Sequence, residues 1–372
     1  MISGQGAPPV LVTGATGFIG REVVRRLLAT GRSVVALGRG RDGRDAADRL
    51  GDAVGLAPDG GRLAAIEADL ARPGCGIASA DWARLRAGVE TVVHCAGETT
   101  FFPGEPSTFR TGHVDGPLAL LQGLEGGRLR RWAQLSTAYV CGRRSGTVFE
   151  GDGDVGQSFH NPYERVKLEA EARLRGAAAR AGVDIRVFRP SVVVGAAPTT
   201  TGGQPSNLFF DFIRLVEGLA RLANGGAVPL RIAAAPRARF NIVPVEYVAA
   251  ALVALIEHPG GVKQTFHLVV SDAPTQAAML EMITARLGVR GLILVDHRDG
   301  PLVEASALER RVARMLVAYR EYLEQDVHFD DAGARRLLAD RGVAPPRLSP
   351  DAVQRLVDLA LAAPHPRQGV PA

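Results

Sequence analysis

The chain has 372 residues, 46% of them hydrophobic, a formal net charge of +5 and a pI of about 9.5. That length supports one large domain, or a domain with a smaller lobe, and the lack of an uncharged run of about 18 apolar residues argues against a transmembrane helix. The basic residues, nearly all arginine, are interspersed with acids and form no aromatic-studded stripe, so a nucleic-acid groove is not expected, whereas phosphorylated small molecules are fitting partners.

Three dispersed cysteines, Cys75, Cys95 and Cys141, show no CxxC spacing, which speaks against a disulfide framework or a zinc site. No metal site is expected. The opening "MISGQGAPP" lacks the basic start and apolar run of a signal peptide, and a reducing cytoplasm is the expected compartment.

The predicted elements alternate. "PVLVTG" (9–14) reads as a buried strand, "REVVRRLLATG" (21–31) as an amphipathic helix closed by Gly31, and "SVVALG" (33–38) as a second strand. Further strands are predicted within 62–70, 89–97, 131–140 and 184–195, with helical segments between most of them. Continuous apolar strands alternating with helices predict a doubly wound parallel sheet covered on both faces. After Gly195 the pattern changes. "APTTTGGQPS" (197–206) reads as a loop, followed by a helix over about 207–223 and a strand and helix within 240–258. A strand at 264–270 and helices at 275–287, 301–318 and 349–362 complete the chain. The expected architecture is an α/β dinucleotide-binding domain over 1–195, with a returning segment near 240–270, and a mainly helical substrate lobe over 196–372 interleaved with it.

Two stretches carry chemistry. "VLVTGATGFIG" sets Gly14, Gly17 and Gly20 between a strand and a helix, with Thr16, Phe18 and Ile19 in the same loop. Glycines allow the tight turn and the close approach of a pyrophosphate, and the helix N-terminus offers free N–H groups to its charge. At the end of the second strand, "VVALGRGRDGR" (34–44) has no acid for a ribose 2′-hydroxyl and has Arg39 where a 2′-phosphate is bound, which favours NADPH over NADH. The second stretch is "NPYERVK" (161–167). Asn161 and Pro162 start a helix, so Tyr163 and Lys167 fall on one face, four apart. A tyrosine needs a nearby cation to exchange its proton near neutrality, and a lysine supplies it. "LSTAYV" (135–140) offers a second hydroxyl, Ser136 or Thr137, at the end of the preceding strand.

These motifs together resemble the extended short-chain dehydrogenase/reductases, Rossmann-fold enzymes whose loops read much like "TGATGFIG". The resemblance implies that Thr137 takes the catalytic Ser/Thr position beside Tyr163 and Lys167. It also implies that Asp69 and Leu70 of "ADL" lie at the adenine, Ala96 and Gly97 of "HCAG" under the diphosphate–ribose region, and Pro190 and Val193 of "FRPSVVVG" at the nicotinamide. "VVHCAGETTFF" (92–102), "LSTAYVCG" (135–142), "NIVPVEYV" (241–248) and the tail "YREYLEQDVHFDDAGARRLL" (319–338) are similar to the fatty-acyl-CoA reductase and thioester reductase branch. His113 in "TGHVDGP" stands where many relatives have asparagine, and a structural role is expected for it.

By this resemblance the chain is expected to be an NADPH-dependent oxidoreductase that reduces the carbonyl of an apolar substrate: an acyl thioester, an aldehyde or a ketone. The expected substrate is a hydrophobic small molecule or a thioester carried on CoA or a carrier protein. Phe209, Phe210 and Phe212 are candidates for an apolar pocket, with packing the simpler role. Arg310, Arg311 and Arg314 are candidates for a phosphopantetheine or carrier surface, with a solvated face the simpler role. Two alternatives stay open on the same scaffold: a nucleotide-sugar epimerase or dehydratase, and a non-catalytic dinucleotide sensor.

Overall fold

The computed structural model describes residues 7–58, 61–101, 103–195, 208–223 and 227–362. Among the described residues the strands in chain order are β1 Val10–Thr13, β2 Val34–Gly38, β3 Leu63–Glu67, β4 Thr91–His94, β5 Arg131–Leu135, β6 Gly146–Val148, β7 Asp184–Pro190, β8 Val192–Val194, β9 Ala227–Ala234, β10 Ile242–Pro244, β11 Thr265–Leu268, β12 Arg290–Asp296 and β13 Val327–Phe329. Seven of them form one sheet, in the order β11-β7-β5-β4-β1-β2-β3, with every pair parallel. The order reverses at β1, so the crevice beyond the carboxyl ends of β1 and β4 is the switch point where ligands bind in such sheets.

The apolar runs form strands because both faces are covered. Leu11, Val12, Val92, Val93, Trp132 and Ala133 are fully buried. The helices Phe18–Ala29 and Val245–Ile256 pack on one face, and the helices Gly116–Leu124 and Pro162–Arg180 on the other. Each fully buried Val, Leu or Phe side chain contributes about 1.5–3 kcal/mol relative to exposure.

The strand predicted over 184–195 breaks at Ser191. There the chain leaves the large sheet, and β8 pairs instead with β10, Val193 opposite Val243. Two later segments return to the sheet. β11 forms its edge, and Ala334, Leu337 and Leu338 of the helix Ala332–Ala339 join the core beside β11 and the helix Val245–Ile256. The second return is not visible in the sequence pattern.

The lobe has its own core, built from the helices Leu208–Ala223, Gln276–Leu287 and Pro350–Ala362. It also holds a parallel pair, β9 with β12, that helical periodicity does not reveal. The helix predicted over 301–318 is shorter, Ala307–Met315, because Ser306 and Glu309 close a capping box at its start. The loop predicted over 197–206 lies outside the described residues.

Candidate active site

The glycine loop joins β1 to the helix Phe18–Ala29. Gly14 has φ +67°, and a Cβ there falls 2.6 Å from the Ala96 backbone nitrogen; a Cβ at Gly20 falls 2.1 Å from the Gly14 carbonyl oxygen. The backbone therefore packs too closely for any side chain at either position. Gly17 is the N-cap residue, makes no side-chain cap bond, and no acid follows in the first turn. The first N–H groups of this helix thus form a cradle open to negative charge, which fits a dinucleotide diphosphate.

Opposite the loop, a cavity of about 560 Å³ opens at the carboxyl ends of the strands. Gly14, Gly17, Phe18, Ile19, Gly20 and Gly97 line its cofactor end, and Thr137, Tyr163, Lys167, Pro190 and Val193 line its floor. Thr16, Arg39, Asp69, Leu70 and Ala96 lie outside the lining. Asp69 caps its own turn, its carboxylate accepting from the Ala71 amide at 3.1 Å. The Ala96 amide donates to the Thr13 hydroxyl at 3.2 Å. Arg39 is exposed at the end of β2, beyond the cavity rim. Its neighbours are engaged, Arg41 with Asp42 and Arg44 with Asp52, whereas no ion pair involves the Arg39 guanidinium among the described residues. An acid does reach this loop, from the adjacent strand. Glu67, at the end of β3, accepts from the Gly40 and Ala46 amides at 2.8 and 2.6 Å, so its carboxylate is held by backbone.

The helix Pro162–Arg180 begins as expected, with Asn161 Oδ1 accepting from the Glu164 amide at 3.1 Å. Tyr163, Lys167 and Glu171 follow at four-residue intervals and share the inward face. The Lys167 ammonium donates to the Leu135 carbonyl at the end of β5 (2.7 Å) and lies 6.0 Å from the Tyr163 ring centroid. Burial lowers the Lys167 pKa to about 8, with Glu171 and then Cys95 acting to raise it. Burial raises the Tyr163 phenol above its ordinary value, and the neighbouring Glu164 adds to the rise. At neutral pH the floor therefore holds a neutral phenol over a mostly charged ammonium.

The two hydroxyls at the end of β5 are not equivalent. Ser136 hydrogen-bonds Glu171, which is also gripped by Arg189 through Nη2 at 2.7 Å and Nε at 3.0 Å. Among the described residues Thr137 Oγ1 only accepts, from the Tyr139 amide at 3.2 Å, so its own O–H is available to a ligand. Neither Glu171 nor Arg189 is among the site residues expected from the sequence; an acid four residues after the lysine is the available signal.

His113 does line the cavity, edge-on to Tyr163 at 5.9 Å, and the Phe109 ring lies 4.6 Å away. Its Nε2–H donates to the Glu98 carbonyl at 2.9 Å. Burial, and then Lys167, lower its pKa to about 3, so it stays neutral and acts as wall and brace. Phe209, Phe210 and Phe212 are buried in the lobe core and do not reach this cavity. The lobe contributes Leu208, Ala318, Tyr319 and Tyr322 instead. Tyr319 and Tyr322 fall within the acyl-reductase-like tail, so the segment was noticed and the role of its rings was not. Arg310, Arg311 and Arg314 are exposed and outside the lining. Among the described residues no cluster of His, Cys, Asp and Glu is placed to hold a metal ion, and no helix is long and apolar enough to cross a membrane.

Residues 12–252, from the glycine loop through the Tyr–Lys helix to the returning helix, match the model of an NAD-binding family described as male sterility protein. The chain belongs to that family. The expectation of an extended short-chain dehydrogenase/reductase with a nicotinamide dinucleotide is thereby borne out at the level of family and fold. Among curated relatives, a carboxylic acid reductase of Segniliparus rugosus is 31% identical over 281 residues, covering 66% of this chain and 23% of the relative. The chain thus spans about a quarter of that protein's length. The terminal R domain from the myxalamid PKS-NRPS pathway superposes with a TM-score of 0.76 at 21% identity, covering 95% of this chain and 91% of that one. A UDP-glucuronic acid 4-epimerase of Bacillus cereus superposes with a TM-score of 0.66 at 17% identity, covering 95% and 98%. Reductase and epimerase share the fold, so fold alone does not select the reaction.

Proposed function

We propose that the protein is an NADPH-dependent reductase acting on the carbonyl of an acyl thioester, aldehyde or ketone. The observation that carries this is the convergence of a free Thr137 hydroxyl, a neutral Tyr163 phenol and the Lys167 ammonium on the floor of a cavity continuous with the glycine cradle. The names of similar proteins, a carboxylic acid reductase and a terminal R domain, support the thioester member of that set.

In this reading the amides of the loop and first helical turn hold the diphosphate, and Pro190 and Val193 flank the nicotinamide. Arg39 takes the 2′-phosphate, while Asp69, Leu70 and Ala96 support the adenosine half. A bound reduced nicotinamide would supply hydride to the carbonyl carbon. Thr137 and Tyr163 donate hydrogen bonds to the carbonyl oxygen and stabilise the charge that develops there. With an aldehyde or ketone, Tyr163 delivers its proton to that oxygen as the alcohol forms. With a thioester, the two donors hold the tetrahedral oxyanion until the thiolate leaves. Lys167, fixed by the Leu135 carbonyl, places positive charge beneath the phenol and stabilises the phenolate left after transfer.

The aromatic roof formed by Phe101, Tyr139, Tyr319 and Tyr322 supports an apolar acyl or aryl group next to the carbonyl. The experiment is NADPH oxidation against a panel of acyl-CoA, acyl-carrier protein, long aldehydes and aromatic ketones. Turnover of at least one class is expected. Tight NADPH binding with no turnover on any of them would favour the sensor reading and overturn this one.

A further inference from the structure

The tyrosine proposed as proton donor sits on the first turn of its helix, where helices fray and backbone N–H groups lack intrahelical partners. The next residue, Glu164, is a fully buried carboxylate. Three groups hold its carboxylate and one its backbone amide. The His160 amide donates at 2.9 Å and His160 Nδ1 lies 3.0 Å from each carboxylate oxygen. The Asn161 side chain accepts from the Glu164 amide. The fourth group comes from 158 residues away: the Tyr322 hydroxyl, on the short helix Arg320–Glu324 of the lobe, donates to Glu164 Oε1. Asn161 Nδ2 in turn donates to the Tyr322 oxygen at 2.6 Å, closing the ring of bonds.

Tyr322 is also packed from three sides by rings. Phe101, on the loop after β4, stacks on it at 5.6 Å and 22°. His160 lies at 4.6 Å and Tyr139 edge-on at 5.3 Å. One lobe side chain therefore touches the loop after β4, the turn after β5 and the cap of the Tyr163 helix, and it lines the cavity as well. A buried carboxylate that loses a donor is costly to keep, so the Tyr322 bond ties the first helical turn to the lobe.

We infer that Tyr322 and Glu164 are a positioning pair that couples seating of the lobe to the placement of Tyr163. The inference rests on Tyr163 being the proton donor. Neither residue touches the reacting atoms; the pair sets where the phenol points. A displacement of about 1 Å in a reacting group costs on the order of a hundredfold in rate, so even a partial loss of register is measurable.

The test is the kcat–KM split of Tyr322→Phe, which keeps the ring and its stacking and removes one hydroxyl. A fall in kcat of about tenfold or more is expected, with KM for NADPH changed by less than about twofold. Glu164→Gln keeps an acceptor for Tyr322 and should lose less. The double variant should lose no more than the larger single one, since both act on one bond. If Tyr322→Phe folds poorly, Glu164→Gln against Glu164→Ala gives the same contrast, with glutamine rescuing kcat. A Tyr322→Phe kcat within twofold of the parent, a loss seen only in KM, or losses that multiply in the double variant overturns the inference. Tyr163→Phe separates the two levels. If it is inactive while Tyr322→Phe is unaffected, only this inference falls; if it is active, the proton-donor reading falls and takes this inference with it.

Discussion

The floor and the roof of the cavity are built in different ways. The floor comes from one α/β unit after another: a glycine loop following β1, hydroxyls at the end of β5, and a Tyr–Lys pair on the helix that follows. Each piece is set by local geometry, and its neighbours in space are near neighbours in the sheet. The roof comes from Phe101 and Tyr139, which follow β4 and β5, and from Leu208, Ala318, Tyr319 and Tyr322 of the lobe, residues that are distant in the sequence. The chemistry in the floor therefore rests on the core of the large sheet, and substrate choice is left largely to the other surface. Variants of the two regions should consequently fail in different ways, the floor in kcat and the roof in KM and substrate range, except at Tyr322, whose bond to Glu164 ties it to kcat.

The largest effect should come from the centre of the floor. Tyr163→Phe removes the proton donor and leaves the cavity shape intact. Turnover is expected to fall by about 10²–10⁴, the range of a lost general acid, while NADPH binding followed by fluorescence is retained. Lys167→Ala should match it in kcat and also weaken the dinucleotide. Full activity in Tyr163→Phe would place the chemistry elsewhere and erase the contrast between floor and roof.

The floor was legible in the sequence because its signals are short-range. The glycine spacing, the Asn-Pro cap and the i,i+4 pair each lie within a dozen residues, and alternating apolar runs announced the parallel sheet. Tyr322 could not be assigned a role, because its hydroxyl meets Glu164 across 158 positions and nothing local to either residue requires it. The β9–β12 pair was missed for a related reason: a two-stranded parallel ladder in a helical lobe has no hairpin turn to mark it. Glu67 shows a third limit. No acid stands at the end of β2, but the carboxylate that reaches the loop comes from β3.

The next contrast lies within the floor itself. Thr137→Val removes the hydroxyl with an O–H to spare and should lower kcat by about 10²-fold with little change in melting temperature. Ser136→Ala should do the reverse. It leaves Glu171 one donor short beside Arg189, which costs about 1–3 kcal/mol of stability, and it leaves the donor set facing the carbonyl intact. Equal kinetic losses in the two variants would show that the hydroxyls share the role.

A smaller effect follows from the ammonium. The Lys167 pKa, lowered by burial to about 8, means that its charge is complete below that pH and lost above it. Reduction is expected to be flat from about pH 6 to 7 and to fall as pH rises through about 8, because the cation that stabilises the phenolate disappears. His113 and His94 are held to about 3 by burial, so no histidine of the floor should add an inflection between pH 5 and 8. A kcat profile that rises through pH 8 would contradict the proposed role of Lys167.

The smallest effect tests the rim, which belongs to neither floor nor roof. Arg39 is exposed and has no ion-pair partner among the described residues, whereas Arg41 and Arg44 are held by Asp42 and Asp52. An exposed charge–phosphate contact is screened by salt and worth only about a kilocalorie or two per mole. Arg39→Ala should therefore raise Kd for NADPH by about tenfold at low ionic strength, by less at 0.5 M salt, and leave Kd for NADH nearly unchanged. Glu67 sharpens the experiment. Its carboxylate is held by the Gly40 and Ala46 amides, so Glu67→Gln should alter the loop without gaining selectivity. If instead Glu67→Gln shifts the preference from NADH towards NADPH, the acid from β3 is the ribose ligand, and the protein reads its cofactor from the third strand instead of the second.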